Sequence, residues 1–305
     1  CAIVAPDLNG DGIPDIVTAD RGIMRSPYEE KPANDELSVR IGQKDLAFEP
    51  LPPLRAGFAP WCIAVANMDN RKALDLVVGN FHAQIRQLSL FLNLGDNLFE
   101  AVHFDVAPSL VTYRRMLDAD ERPVFAVPGF TSVTVGDFNQ DSYRDVIAAG
   151  WSSDVLVFFP GDANRYLGPP KIIPAAGAPY DVQSADLDGD GKLELVTTHY
   201  ASDEIAIWKI DNSGDFMEQT RFLSRGRLPH RVRVADVNGD GIKDLVVSHV
   251  HTDDSIVIFY GEKGAFYPVA QELLLGRDRQ RLEHEIRDVL VQDFTGDGRP
   301  EIVAA

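Results

Sequence analysis

Asp236-Val-Asn-Gly-Asp-Gly-Ile-Lys-Asp244 places oxygen-bearing side chains at positions 1, 3, 5 and 9 of a nine-residue stretch, with glycine at position 6. The same formula recurs as Asp7-Leu-Asn-Gly-Asp-Gly-Ile-Pro-Asp15, Asp186-Leu-Asp-Gly-Asp-Gly-Lys-Leu-Glu194 and Asp293-Phe-Thr-Gly-Asp-Gly-Arg-Pro-Glu301, and, with serine at position 6, as Asp137-Phe-Asn-Gln-Asp-Ser-Tyr-Arg-Asp145. A degenerate copy runs from Asn67 through Asp69 and Arg71 to Asp75. The six copies begin 60, 70, 49, 50 and 57 residues apart. A repeat unit of about 50 residues, lengthened by insertions at 20–36 and 100–129, accounts for that spacing.

Outward from each copy the apolar residues alternate with period two, as in Val232 to Ala235 before the loop, and a short apolar run such as Leu245 to Val247 follows it. A second apolar run comes next, at 39–41, 88–92, 155–159, 205–208 and 256–260. It leads into a Gly or Asp turn that ends in Phe48, Phe99, Tyr166, Phe216 or Phe266. Four antiparallel strands per unit, with no helical periodicity between them, predict an all-β chain built as a β-propeller. Units starting near 1, 61, 131, 180, 230 and 287 make a single propeller domain over 1–305, with five complete blades and half of a sixth. The chain enters in strand one of its first unit and stops in strand two of its last. It is therefore expected to be incomplete at both ends, a segment of a longer, seven-bladed propeller. A six-bladed ring with one two-stranded blade is the alternative.

The chain resembles the FG-GAP or VCBS repeat family, whose members include the propeller heads of integrin alpha subunits, fungal lectins and many bacterial surface proteins. The likeness covers nearly every residue. It is carried by a Gly-x-Pro lead such as Gly177-Ala-Pro179, the acidic loop, the Leu-Val-Val strand and the Gly-x-Phe turn. The Arg71 copy and the long segments 20–36 and 100–129 depart from the pattern.

Side chains at positions 1, 3 and 5 converge in one tight turn, and position 7 offers its backbone carbonyl. Oxygen-only ligands suit a hard cation, which makes calcium the expected cofactor. The candidate ligands are Asp7, Asn9, Asp11, Ile13 and Asp15; Asp137, Asn139, Asp141, Tyr143 and Asp145; Asp186, Asp188, Asp190, Lys192 and Glu194; Asp236, Asn238, Asp240, Ile242 and Asp244; and Asp293, Thr295, Asp297, Arg299 and Glu301. An EF-hand would need a bidentate Glu at position 12, but Thr18, Thr197 and Val247 stand there, and the last carboxylate is at position 9, as in the family. The plainer alternative is a set of Asp-Gly turns whose carboxylates only bond backbone N–H groups. Five clustered copies weigh against it, because three or four carboxylates a few Å apart repel without a cation. In the degenerate copy the Arg71 guanidinium either replaces the ion or points to solvent over an ordinary turn.

Composition agrees. The chain has 305 residues, 45% hydrophobic and 25% charged, which excludes disordered and collagen-like classes. A formal net charge of −18 argues against nucleic acid as a partner, and five divalent ions would offset more than half of it. No apolar run reaches the roughly eighteen residues of a transmembrane helix. Two cysteines, Cys1 and Cys62, make no disulfide framework; a bridge between them and a lipidated Cys1 both stay open. Sites of this type need a calcium-rich medium, so the chain is expected to be extracellular, periplasmic or at the cell surface.

A ligand is expected on the face opposite the calcium loops. Blade connections and strand-two exits collect Trp61, His82, Tyr180, His199, Tyr200, His230, Arg231, His249, His251 and His284 there, with Phe81, Trp151 and Arg287 beside them. Aromatic rings with His and Arg can stack on sugars and bond their hydroxyls. Taken singly, each residue is more often a cap on blade packing, and His249 with His251 also has the spacing for a transition metal. The leading expectation is a recognition module for glycan or protein, acting in adhesion or carbohydrate binding. The alternatives are a carbohydrate-active, polysaccharide lyase-like enzyme using His, Tyr and Arg on this face, and a scaffold domain of a longer chain. No nucleophile elbow or HExxH motif marks a catalytic set.

Overall fold

The period-two runs fold as strands. The computed structural model describes residues 2–20, 34–81, 85–106, 129–163, 166–211, 215–250, 256–263 and 286–305, and, by backbone alone, 115–117, 123–125 and 265–273. No helix longer than a three-residue turn occurs among the described residues.

Each acidic loop joins the first strand of a sheet to the second. The second sheet runs Pro60–Ala66, Asp75–Asn80, Leu88–Gly95, Leu98–Phe104, every neighbouring pair antiparallel. The fourth runs Pro179–Ala185, Glu194–His199, Glu204–Ile210, Phe216–Leu223, and the fifth Pro229–Ala235, Asp244–His249, Ile256–Glu262, Ala265–Leu273. The first sheet, Ile3–Val4, Ile16–Asp20 and Glu36–Gly42, has a divided outer strand, Phe48–Pro50 and Leu54–Arg55, because Pro52 and Pro53 cannot donate to a ladder. The third, Ser132–Gly136, Asp145–Gly150 and Val155–Phe159, reaches its outer strand Lys171–Pro174 only after a small hairpin of Gly161–Asp162 with Tyr166–Leu167. Tyr166 thus closes an extra hairpin rather than opening strand four. The sixth sheet is the pair Val289–Gln292 and Glu301–Ala304.

Second strands Asp75–Asn80, Asp145–Gly150, Glu194–His199 and Asp244–His249 are buried at every residue. A strand covered on both faces carries apolar residues on both, as at 76–78 and 245–247, which is why these lack the alternation of first strands. The polar ends 197–199 and 248–249 are buried with them. Outer strands such as Phe216–Leu223 are largely exposed.

The chain divides into two compact units, Cys1–Asp137 with Ser142–Pro174, and Phe138–Asp141 with Ala175–Ala305. In the first unit Val17, Leu37, Leu76 and Phe91 pack sheet one on sheet two, and Leu90, Val146, Val157 and Phe159 pack two on three. In the second, Val196, Ile207, Val232, Val247 and Phe259 pack sheet four on five, and Val246, Ile258, Ile286 and Val289 pack five on six. Shortening a fully buried Leu or Ile in such a face to Ala costs about 2–5 kcal/mol.

Candidate functional site

Position 1 organises each acidic loop. Asp236 Oδ1 accepts the N–H of Gly239 at 2.7 Å and of Asp240 at 3.2 Å, while Oδ2 accepts that of Gly241 at 2.8 Å. Asn238 Oδ1 takes the Asp240 N–H and Asp240 Oδ1 the Ile242 N–H, at 2.9 and 2.8 Å. Wrapping the chain this way needs positive φ at positions 4 and 6, supplied by Gly239 at 78° and Gly241 at 85°. In the 137–145 copy Gln140 and Ser142 hold the same region at 59° and 75°.

Position 9 has a role that the linear formula does not reveal. Asp15, Asp75, Asp145 and Asp244 have no exposed surface. Asp244 Oδ2 accepts the N–H of Val237 at 2.9 Å, and Oδ1 that of Gly261 in the third strand at 2.8 Å. Asp15 does the same with Leu8 and Gly42, and Asp75 with Met68 and Asn93. The ninth carboxylate is therefore a latch between loop and third strand. Burial pushes the Asp75 and Asp244 carboxyls up, with the backbone donors pulling the other way.

The donor sets suit calcium to different degrees. Asp186, Asp188 and Glu194 bring one oxygen each within 4.8 Å of one another, as do Asp293, Asp297 and Glu301. Thr295 Oγ1 donates to Glu301 Oε1 at 3.0 Å, inside its loop. The degenerate copy does not fit: the Asn67 amide donates to the Arg71 carbonyl, and the largely exposed Arg71 side chain pairs with Asp69, its Nε 3.1 Å from Oδ2. A cation also approaches 186–194, where the Lys209 ammonium contacts Asp188 Oδ2 and holds that carboxyl below its usual range.

The aromatic residues gather at the other ends of the first strands. In the second compact unit Tyr180 stacks on His230 with centroids 4.2 Å apart and on Tyr200 at 5.5 Å, and the Arg231 guanidinium lies 5.7 Å from the Tyr180 ring. Buried Asp181 bonds Arg231 Nη1 at 3.1 Å and Arg233 Nη1 at 3.3 Å, fixing both guanidinium groups. In the first unit Trp61 lies on Phe81 at 4.5 Å, and Phe81 on Trp151 at 5.9 Å.

The histidines differ from expectation. His199 and His249 have no exposed surface and His230 is 8% exposed, because the second strands that carry the first two are buried to their last residue. His199 Nδ1 donates to the Ala176 carbonyl at 2.8 Å, its Nε2 accepts from Thr197 Oγ1 at 2.8 Å, and the Trp208 indole donates to that hydroxyl at 2.9 Å. His230 Nδ1 donates to the Arg287 carbonyl at 2.5 Å. Burial pushes all three imidazoles down to about 4, so the titration between pH 5 and 8 expected of an exposed imidazole does not apply to them. Burial likewise pushes the Tyr180 phenol up to about 12. His199, His249, Tyr180 and His230 thus belong to the interior, while Trp61, Tyr200 and Arg231 keep partial exposure. His82, His251 and His284 lie outside the described residues.

Solved structures share this architecture at low identity. A candidate 6-phosphogluconolactonase from Bacteroides uniformis is 13% identical over 98% of this chain and 76% of its own, with a TM-score of 0.65. The periplasmic gluconolactonase of Pseudomonas aeruginosa is 12% identical over 96% and 74%, with a TM-score of 0.57. The BBS1N chain crystallised with ARL6DN is 14% identical over 99% and 75%, with a TM-score of 0.59. These likenesses speak to fold, and the fold is that of a β-propeller. No curated protein matches the sequence significantly. The FG-GAP-like repeat matches three times, at residues 137–197, 186–247 and 236–304. Spanning more than half of the sequence and overlapping at the acidic loops, these repeats establish that the chain belongs to the FG-GAP-like repeat family.

Proposed function

We propose that this β-propeller chain is a calcium-stabilised recognition module of the extracellular space, periplasm or cell surface, binding a glycan or protein ligand at its aromatic end. The observation that carries this reading is the Tyr180 stack. It sets the partly exposed Tyr200 ring and the oriented guanidinium of Arg231 on the buried rings of Tyr180 and His230. Flat rings offer stacking surface at little entropic cost, and a pre-aimed guanidinium bonds hydroxyls or carboxylates. Tyr180 begins the strand whose far end enters loop 186–194, so ligand and calcium act about 20 Å apart along the strand. Calcium is then structural, and its supply argues for a calcium-rich compartment.

A carbohydrate-active enzyme on the same face is less well supported. A phenol near 12 and an imidazole near 4 are poor general acids and bases at neutral pH, where a catalytic group works best with a pKa near the operating pH.

The test is a glycan array and a pull-down on calcium-loaded protein, beside a turnover screen on acidic polysaccharides. Tyr200→Ser with Arg231→Gln alters the partly exposed members of the cluster, spares the buried rings and leaves Arg233 bonded to Asp181. Binding that weakens at least about tenfold in this variant supports the module, since two contact residues of this type carry 1–2 kcal/mol or more. Turnover by the wild type replaces it with the enzyme.

A further inference from the structure

We propose that Lys209 is a tethered cation that competes with calcium for loop 186–194, so that this loop binds the ion more weakly than its own oxygens would dictate. The inference rests on the calcium reading above. Loop 186–194 is the most acidic copy, with Asp188 at position 3 where loops 7–15, 137–145 and 236–244 carry Asn. The additional charge is matched from outside the loop. Lys209 Nζ contacts Asp188 Oδ2 and lies 3.6 Å from Glu194 Oε1. A calcium ion needs its ligands at roughly 2.3–2.6 Å. The oxygens of Asp186, Asp188 and Glu194 converge within 4.8 Å, so an ion bound among them takes the ammonium's place.

Strand register makes this device particular to one unit. Lys209 follows Trp208, which pairs with Leu195, the first residue beyond its loop. The corresponding residues in the other sheets are Ile41, Leu92, Pro160 and Tyr260, none of them cationic. Position 9 has changed in step. Glu194 gives Oε2 to the Leu187 N–H at 2.8 Å and turns Oε1 toward Lys209, whereas Asp15, Asp75 and Asp244 give that second oxygen to a third-strand N–H. In the degenerate loop a cation also pairs with position 3, Arg71 Nε lying 3.1 Å from Asp69 Oδ2.

The experiment is calcium titration of metal-stripped protein, read by isothermal calorimetry and by native mass spectrometry of bound ions. Wild type, Lys209→Met, Lys209→Arg and the double variant Lys209→Met with Asp190→Ala are compared. Lys209→Met is expected to tighten one site by about tenfold or more, since it removes a positive charge a few Å from the ion. It should therefore hold one more ion than wild type at limiting calcium. Lys209→Arg should behave as wild type, and Asp190→Ala should abolish the gain by removing a carboxylate from the same loop. If wild type binds calcium but Lys209→Met changes neither affinity nor count, or if Lys209→Arg mimics it, the role of Lys209 is refuted and the calcium reading stands. If no variant binds calcium, both fall.

Discussion

Asp240 and Asp244 sit four residues apart and carry the same carboxylate in opposite circumstances. Asp240 is exposed; Asp244 is fully buried and holds the N–H groups of Val237 and Gly261. In chelator, Asp244→Ala is expected to destabilise the fold by about 3 kcal/mol, because two buried donors lose their acceptor. Asp240→Ala should cost less than about 1 kcal/mol there, as an exposed substitution, and should weaken calcium binding instead. Urea denaturation with and without calcium separates the two. The buried histidines set a second expectation. Their folded pKa of about 4 lies below the ordinary 6.5, so the unfolded chain takes up protons first as pH falls. Their contribution is present above pH 6.5 and is lost progressively down to about 4, by on the order of 3 kcal/mol for each at full effect. The ring nitrogens of His249 make no well-aligned hydrogen bond among the described residues, and the Ser224 backbone beside the ring offsets only a little of the cost of its burial. His249→Phe should accordingly flatten this acid limb in melting curves recorded from pH 7 to pH 4, and should leave stability at pH 7 equal or higher.

At the level of strands, a close approach between loop and third strand decides what each position tolerates. A Cβ on Gly261 would lie 2.3 Å from the Lys243 carbonyl oxygen, and one on Gly42 would lie 2.3 Å from that of Pro14. Gly261→Ala is expected to cost about 2 kcal/mol or more by forcing backbone apart. Gly239→Ala, whose Cβ would meet open space at a φ of 78°, should cost about 1 kcal/mol from conformation alone. Thermal unfolding of the two variants checks the order. The strands themselves were legible from period-two runs, and the loops from their spacing. The latch and Lys209 were not, because a repeat formula is local, whereas both depend on which third-strand residue the register sets beside the loop. Burial of His199 and His249 was equally hidden: a polar residue at the end of an apolar run gives no sign of how far the neighbouring sheets cover it.

For the whole molecule, electrostatics governs behaviour. With a formal charge of −18, self-repulsion works against the folded chain until cations bind. Chelation is expected to lower the melting temperature, since an ion bound only to the folded state at about a thousandfold its dissociation constant contributes ~4 kcal/mol. Scanning fluorimetry in calcium and in chelator measures the difference. Calcium at saturation should reach five ions per chain, the one in 186–194 entering late. The number of units was readable at this scale, since each carries one acidic loop. The line between the two compact units was not, for it falls between Pro174 and Ala175, with Phe138–Asp141 grouped in the second unit, without any change in composition.

The wrapped loops also govern how the protein ages. Asn9-Gly10 and Asn238-Gly239 are the kind of dipeptide that deamidates, when the glycine nitrogen attacks the preceding side-chain amide and the resulting ring opens to aspartate or isoaspartate. In the folded loops the attacking nitrogen is occupied, with Gly10 N–H donating to Asp7 Oδ1 at 2.8 Å and Gly239 N–H to Asp236 Oδ1 at 2.7 Å. The amides are pinned as well, each donating to the Asp at position 5. Native protein should therefore keep these asparagines during storage, and unfolded protein should shed ammonia from them. Each loss would add one negative charge, giving either the Asp-x-Asp formula of 186–194 or an isoaspartate whose lengthened backbone distorts the loop, so an unfolded, aged sample would separate into acidic charge isoforms with unequal appetite for divalent ions.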